Sequence, residues 1–164
     1  MIKSLMWRKK IYSSSYSFFS NGIPVGFLNE NIWGQKSNGV IDGKYYSITT
    51  KGFFTQNVNV VDAASGKLEA SIMFNSWKTK AQIILGDGVY SWQYSNAWNT
   101  KWKIVGWNGA HLWFQGSSQR GVAESNSDNS LLLLLGIYTY NAFRTRAMIT
   151  ILIVFIPIWI TVLH

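Results

Sequence analysis

Residues 131–143 read Leu-Leu-Leu-Leu-Leu-Gly-Ile-Tyr-Thr-Tyr-Asn-Ala-Phe. Wound into a helix, this segment is apolar around its whole circumference rather than along one stripe, so no face of it suits water. It is too short to cross a bilayer alone, which takes about 20 residues. It therefore belongs in a protein core, and the rest of the chain must supply the wall around it. Immediately upstream, 121–130 is a polar linker in which Asp128, Asn129 or Ser130 can cap the helix by accepting its free amide hydrogens.

The wall is legible further upstream. From 7 to 124 the chain is a series of short apolar runs broken by turn pairs: Asn21-Gly22, Asp42-Gly43, Ser65-Gly66, Asp87-Gly88 and Asn108-Gly109. Asn-Gly and Asp-Gly favour the positive backbone angles of type I′ turns, which join antiparallel strands. Between the turns, residues alternate, as in Lys101-Trp102-Lys103-Ile104-Val105. A period of two places one face in a core and the other in water. Ten to twelve such strands, with no comparable helical stretch before Ser130, predict an all-β sandwich or closed barrel.

Downstream, Arg144 and Arg146 precede 147–163, which carries no charge. As a helix it reaches ~25 Å, the short end of what crosses a bilayer. Pro157 would bend it, which membrane helices tolerate, and Trp159 suits the headgroup level. Its destination is a bilayer or the protein's own fold, and both apolar segments can also join as one hairpin or one long helix. The expected organisation is a barrel over 1–143, with its helix at 131–143, followed by a membrane anchor over 144–164 with Arg144, Arg146 and Trp159 as its collar.

The order of segments is familiar. Val25-Gly26-Phe27-Leu28 comes before an Asn-Ile-Trp, followed by Ile41-Asp42-Gly43-Lys44-Tyr45-Tyr46 and Lys51-Gly52-Phe53-Phe54. Val60-Val61-Asp62, Ser65-Gly66-Lys67 and Asn75-Ser76-Trp77-Lys78-Thr79-Lys80-Ala81 come next, ahead of a Gly-Asp-Gly-Val-Tyr turn. From about Tyr16 to Phe143 this resembles the tubby C-terminal-like superfamily, which includes LURP-one-related and phospholipid scramblase-like proteins, and looks most like its small bacterial members. The resemblance implies a mainly β fold, a closed antiparallel barrel of about twelve strands with an apolar central helix. The chain departs from that pattern by continuing some twenty residues past the helix.

Composition bounds the function. The chain has 164 residues, with 9 Trp, 8 Tyr and 9 Phe and only 13% charged residues, the opposite of a disordered composition. Fifteen Lys and Arg against seven Asp and Glu give a net charge of +8, which favours an anionic partner. The apolar tail makes that partner lipid rather than nucleic acid, although such a charge also serves to keep an aromatic-rich domain in solution. The absence of cysteine excludes disulfides, thiolate metal sites and a cysteine nucleophile, and fits a reducing compartment. Residues 1–10 carry charges with no signal-like apolar run behind them, so export by a cleaved signal is not expected.

No pattern of catalytic residues emerges. Asp42, Asp62 and Asp87 sit beside turns, where carboxylates bond the local backbone, and no spacing brings two acids together. His111 stands alone in a strand-like run, there is no Gly-x-Ser-x-Gly elbow, and no phosphate-binding glycine loop. No catalytic residue, metal or cofactor is expected, and an enzyme would need an open polar lumen. Lys78, Lys80, Lys101, Lys103 and Arg120 form a lipid-binding patch if the strand order brings them together, each worth on the order of 1 kcal/mol beside an acidic membrane. The expected function is a non-enzymatic membrane-associated module that binds anionic lipid or a protein partner. All 15 Lys and Arg precede the final apolar run, which puts the barrel on the cytoplasmic side. The alternatives are scramblase-like movement of lipid across the bilayer and a purely structural part in a membrane complex.

Overall fold

Alternation of apolar and polar residues recurs along nearly every strand, and it rolls the sheet around its apolar face. The structure is a computed structural model that describes residues 3–31, 35–51, 57–75 and 79–145. Among the described residues there are twelve strands: β1 (Lys3–Lys9), β2 (Ser15–Ser20), β3 (Ile23–Asn29), β4 (Lys36–Ile41), β5 (Lys44–Thr50), β6 (Asn57–Asp62), β7 (Leu68–Phe74), β8 (Lys80–Leu85), β9 (Gly88–Tyr94), β10 (Lys101–Gly106), β11 (His111–Gly116) and β12 (Arg120–Ser125). Each pairs antiparallel with its neighbours in sequence, and β1 closes on β12 from Lys3↔Ser125 to Arg8↔Arg120. The expected closed barrel is the one observed, and closure leaves none of the twelve described strands with an unpaired edge.

The five turn pairs all fall at hairpin bends, but only two take the expected form. Asn21-Gly22 and Asp42-Gly43 have positive φ at both residues, as type I′ requires. At Ser65-Gly66 and Asn108-Gly109 only the glycine does. The expected Asp87-Gly88 pair is shifted by one: Gly86 carries φ +57° and Leu85 pairs with Gly88, so Gly86-Asp87 is the bend. In that frame the single left-handed position falls on glycine, whereas the other frame forces it on Asp87.

The lumen is filled by α1, described over 131–145. The expected helix at 131–143 is therefore present, and it runs on through Arg144 and Thr145. Its side chains meet the wall on several sides. Trp92 Nε1 on β9 donates to the Gly136 carbonyl at 3.1 Å, and Tyr140 stacks on Trp102 of β10 at 4.0 Å. Phe143 meets Phe74 of β7 edge-on at 5.0 Å. Two glycines set how closely helix and wall approach. A Cβ on Gly136 would lie 2.3 Å from Phe114 Cζ on β11, and one on Gly39 of β4 would lie 2.8 Å from Leu134 Cδ1. Strand residues such as Phe18, Ile48, Ile72 and Leu112 and helix residues such as Leu132 and Leu135 form one continuous core.

Of the three cap candidates, Asn129 acts: its Oδ1 accepts from the Leu131 amide at 3.0 Å. Ser130 instead donates its hydroxyl hydrogen to the Asp42 carboxylate, which pins the start of the helix to the β4–β5 bend. The expectation that Asp42 bonds its own turn is thereby corrected, because the helix start arrives within reach of its side chain. Asp62 behaves as expected. Its Oδ1 accepts from the Ala64 and Ser65 amides at 2.8 and 3.0 Å, and these bonds hold its carboxyl below the usual range.

Antiparallel order sorts the connections by end. The tight bends after β2, β4, β6, β8 and β10 share one end, here the turn end, where α1 enters. The other connections, 10–14, 30–35, 51–56, 75–79, 95–100 and 117–119, most of them longer, share the opposite end, the loop end, toward which α1 runs. Among the described residues no helix is long and apolar enough to cross a membrane. The expected anchor over 147–163, with Arg146 and Trp159, lies outside the described residues, as does Lys78.

Candidate functional site

Parity decides where the cations gather. Every even-numbered strand starts at the loop end, and β4, β8, β10 and β12 start with Lys36, Lys80, Lys101 and Arg120. Arg8 and Lys9 finish β1 and Lys10 follows it, Lys51 follows β5, and Arg144 lies near the end of the described helix. Among the described residues the loop end thus holds these nine cations and a single acid, Glu30. The turn end holds Asp42, Asp62, Glu69, Asp87, Glu124 and Asp128 against Lys3, Lys44 and Lys67. Formal charge among the described residues is therefore 9 − 1 = +8 at the loop end and 3 − 6 = −3 at the turn end, with Lys103 between them.

Four of the five expected patch residues share the outer wall of β8–β12. Lys80, Gln93 and Lys103 stand in one cross-strand row, which continues to Trp113 and Glu124. Lys101 sits one step nearer the rim opposite Gln115, and Arg120 opens β12. Lys80 and Lys103 are two strands apart, about 10 Å at the usual spacing. Arg120 faces a residue that the sequence did not suggest: Arg8 on β1 is its direct cross-strand partner, and both are exposed. Like charges placed so are unfavourable unless an anion lies between them. The pair lines an open groove of ≈ 1080 Å³, together with Gln115, Gln119, Met6 and Val122. Among the described residues the ion pair formed is Lys67–Glu69 at 3.8 Å, so the rim cations form no close ion pair there, and of them Lys9 alone feels a nearby carboxylate, Glu30. Arg8, Lys9, Lys36 and Lys51 were missed because they are scattered along the sequence. Their signal is position, since each lies within two residues of a connection at the same end.

Arg144, expected in the collar, is the one collar residue within the described part of the chain. It is half-buried in the barrel mouth, close enough to draw the Tyr16 and Tyr94 hydroxyls toward ionisation. Burial outweighs that attraction, pushing the Tyr94 hydroxyl up to about 12 and that of Tyr16 higher still. Beside them lies a group that sequence reading did not single out. Glu30, just past β3, accepts from Asn141 Nδ2 of the helix at 3.3 Å. Lys9 Nζ donates to Tyr16 Oη at 3.4 Å and sits 4.8 Å from its ring centroid. Three distant segments converge here, which no local spacing reveals.

Burial raises the Glu30 carboxyl to about 7, and the Asn141 bond and the Lys9 charge hold it back. Its ordinary value is 4.5, so the folded state takes up a proton that the unfolded chain has released between those values. Stability from this group is greatest below pH 4.5 and falls as pH rises through 7. The drop in unfolding free energy between pH 5 and pH 8 should therefore be smaller in Glu30→Gln than in the parent. An identical pH profile for the two would show that Glu30 is not the titrating group.

Among the described residues no three of His, Asp or Glu gather as a metal site would require. No family model matches the chain, and no curated protein matches it. Among solved structures, the X-ray structure of protein AT5G01750 from Arabidopsis thaliana is similar in fold, with a TM-score of 0.59 over 86% of this chain and 91% of that one. The two are 12% identical, so the likeness is one of fold.

Proposed function

We propose that this protein is a non-enzymatic barrel that sits on a membrane with its loop end against anionic lipid, held there by the apolar segment 147–163. The observation that carries this reading is the separation of charge along the barrel axis, +8 at one end and −3 at the other. A dipole of this sense turns its basic end toward an acidic surface, and each rim cation there contributes on the order of 1 kcal/mol. Exposed apolar side chains do not discriminate between ends, since Ile11, Tyr12 and Trp98 lie at one and Ile23, Leu68 and Trp107 at the other. The helix runs toward the basic end, so the tail follows from the side on which lipid would lie. The excess of Lys and Arg before the tail puts the barrel on the cytoplasmic side. Membership of the tubby-like superfamily is part of the same proposal, supported by a twelve-stranded barrel closed around a helix.

The described core lies between Leu5 and Phe143, so a chain ending at Arg146 keeps all of it. Cell fractionation of the two forms tests the anchor. The full chain should stay in the membrane pellet through a high-salt wash, and the shortened chain should move largely to the supernatant. Equal partition of both forms would end the anchor reading.

A further inference from the structure

We propose that the connection 95–100 is a preformed finger whose Trp98 side chain enters the headgroup layer of an anionic bilayer while Lys101, at the start of β10, meets lipid phosphate. This rests on the membrane-facing reading above and names the contact. The loop is braced from within by one side chain. Asn96 Oδ1 accepts from the Thr100 and Lys101 amides at 3.1 and 2.9 Å, and its Nδ2 donates to Thr100 Oγ1 at 2.8 Å. The Ser95 amide donates to the Lys101 carbonyl at 2.8 Å and closes the base. Trp98 takes no part in any of this and is 86% exposed at the tip. The bracing needs Asn96 and Thr100, so nothing in the loop's own architecture asks for an indole.

The same device recurs in the connection before β8. Asn75 Oδ1 accepts from the Thr79 and Lys80 amides at 2.9 and 3.0 Å, and its Nδ2 donates to Thr79 Oγ1 at 3.2 Å. The shared spelling is Asn-x-Trp-x-Thr-Lys, at 75–80 and 96–101, and Asn-Ile-Trp-Gly-Gln-Lys at 31–36 differs by glutamine for threonine. Trp33 and Trp77 lie outside the described residues. All three connections leave the loop end, and each hands over to an exposed rim lysine: Lys36, Lys80 or Lys101. An amphipathic ring with a lysine three residues on suits the bilayer interface, where indoles sit at headgroup level and ammonium groups meet phosphate. Trp107 is comparably exposed but lies at the acidic turn end, and it serves as the internal control.

The test is tryptophan quenching by brominated phosphatidylcholine. The full chain and its Trp98→Ala and Trp107→Ala variants are reconstituted with vesicles of phosphatidylcholine, with and without phosphatidylglycerol. The quenched signal should fall in Trp98→Ala and persist in Trp107→Ala, and the difference should be larger with the anionic lipid. Initial binding of Trp98→Ala to anionic vesicles should be about tenfold weaker, the scale expected for one large apolar side chain removed from water. Unchanged far-ultraviolet circular dichroism would confirm that the variants fold. If Trp98→Ala is quenched as fully as the parent while reversal of the rim charges still loosens vesicle binding, the finger is wrong and the charge reading stands. If the parent chain ignores anionic vesicles altogether, both fall. An equal Trp98 difference in neutral and anionic vesicles would remove the role of Lys101.

Discussion

Replacing Trp102 by alanine should lower the unfolding free energy by ~3–5 kcal/mol. The indole is 1% exposed and lies where wall and helix meet. It stacks on Tyr140 of the helix at 4.0 Å with planes 6° apart, and on Phe114 of the wall at 5.4 Å and 8°. Trp7 leans against it at 5.6 Å. Alanine would therefore leave a cavity bounded by three rings, and loosen the hold of the wall on the helix. A domain of this size is typically stable by ~5–15 kcal/mol, so the change takes a large share of the total. Urea unfolding should show an earlier midpoint with an unchanged slope. Phenylalanine should be far better tolerated. The Trp102 Nε1–H has no hydrogen-bond partner among the described residues, and such a buried orphan is itself unfavourable by ~1–3 kcal/mol. Trp102→Phe keeps most of the stacking and removes the orphan. A Trp102→Ala protein no less stable than one carrying an exposed substitution would mean that the lumen is not packed as described.

The triple variant Lys80→Glu/Lys101→Glu/Arg120→Glu should bind anionic vesicles at least ~10²-fold more weakly than the parent, on the basis of ~1 kcal/mol for each cation removed. The added carboxylates increase the loss, and rising salt should shrink the difference by screening. The form ending at Arg146 reads this without interference from the tail, because it retains the described core. Instability does not account for such a loss. Arg120→Glu turns the like-charged pair with Arg8 into an opposite-charged one, which should add ~0.2–1 kcal/mol of stability. The matched variant at the other end, Lys3→Glu/Lys44→Glu/Lys67→Glu, should bind nearly as well as the parent. Equal loss from both triples would show that total charge acts, not its position.

How much of this was legible in the sequence depends on range. The helix at 131–143 declared itself because no face of it is polar, and the alternation at 101–105 correctly put Trp102 inside and the lysines outside. Bends were placed correctly as well. Their frames were less secure: with Gly86 and Gly88 flanking Asp87, spacing alone left the frame open. The lysine patch was nameable but its company was not, because Arg8 and Arg120 are 112 positions apart and meet only when β1 closes on β12. The Glu30–Asn141 bond has the same character, joining residues 111 positions apart. The brace at Asn96 was legible in principle, since its spelling repeats 21 residues earlier, but a repeat of six residues stands out only once both copies are seen to close the same kind of loop.

The closing of β1 on β12 also dictates a schedule. Lys3 cannot find Ser125 until nearly the whole wall has left the ribosome, and the helix that fills the wall is made later still. Until then the nascent chain carries two raw sheet edges around a greasy, unplugged trough, the kind of surface that pairs with strangers. Synthesis order and assembly order are thus at odds, and such distant pairing makes for slow folding. Translation speed past residue 131, and chaperones that shield open edges, should govern the yield of this protein more than the strength of any contact within it.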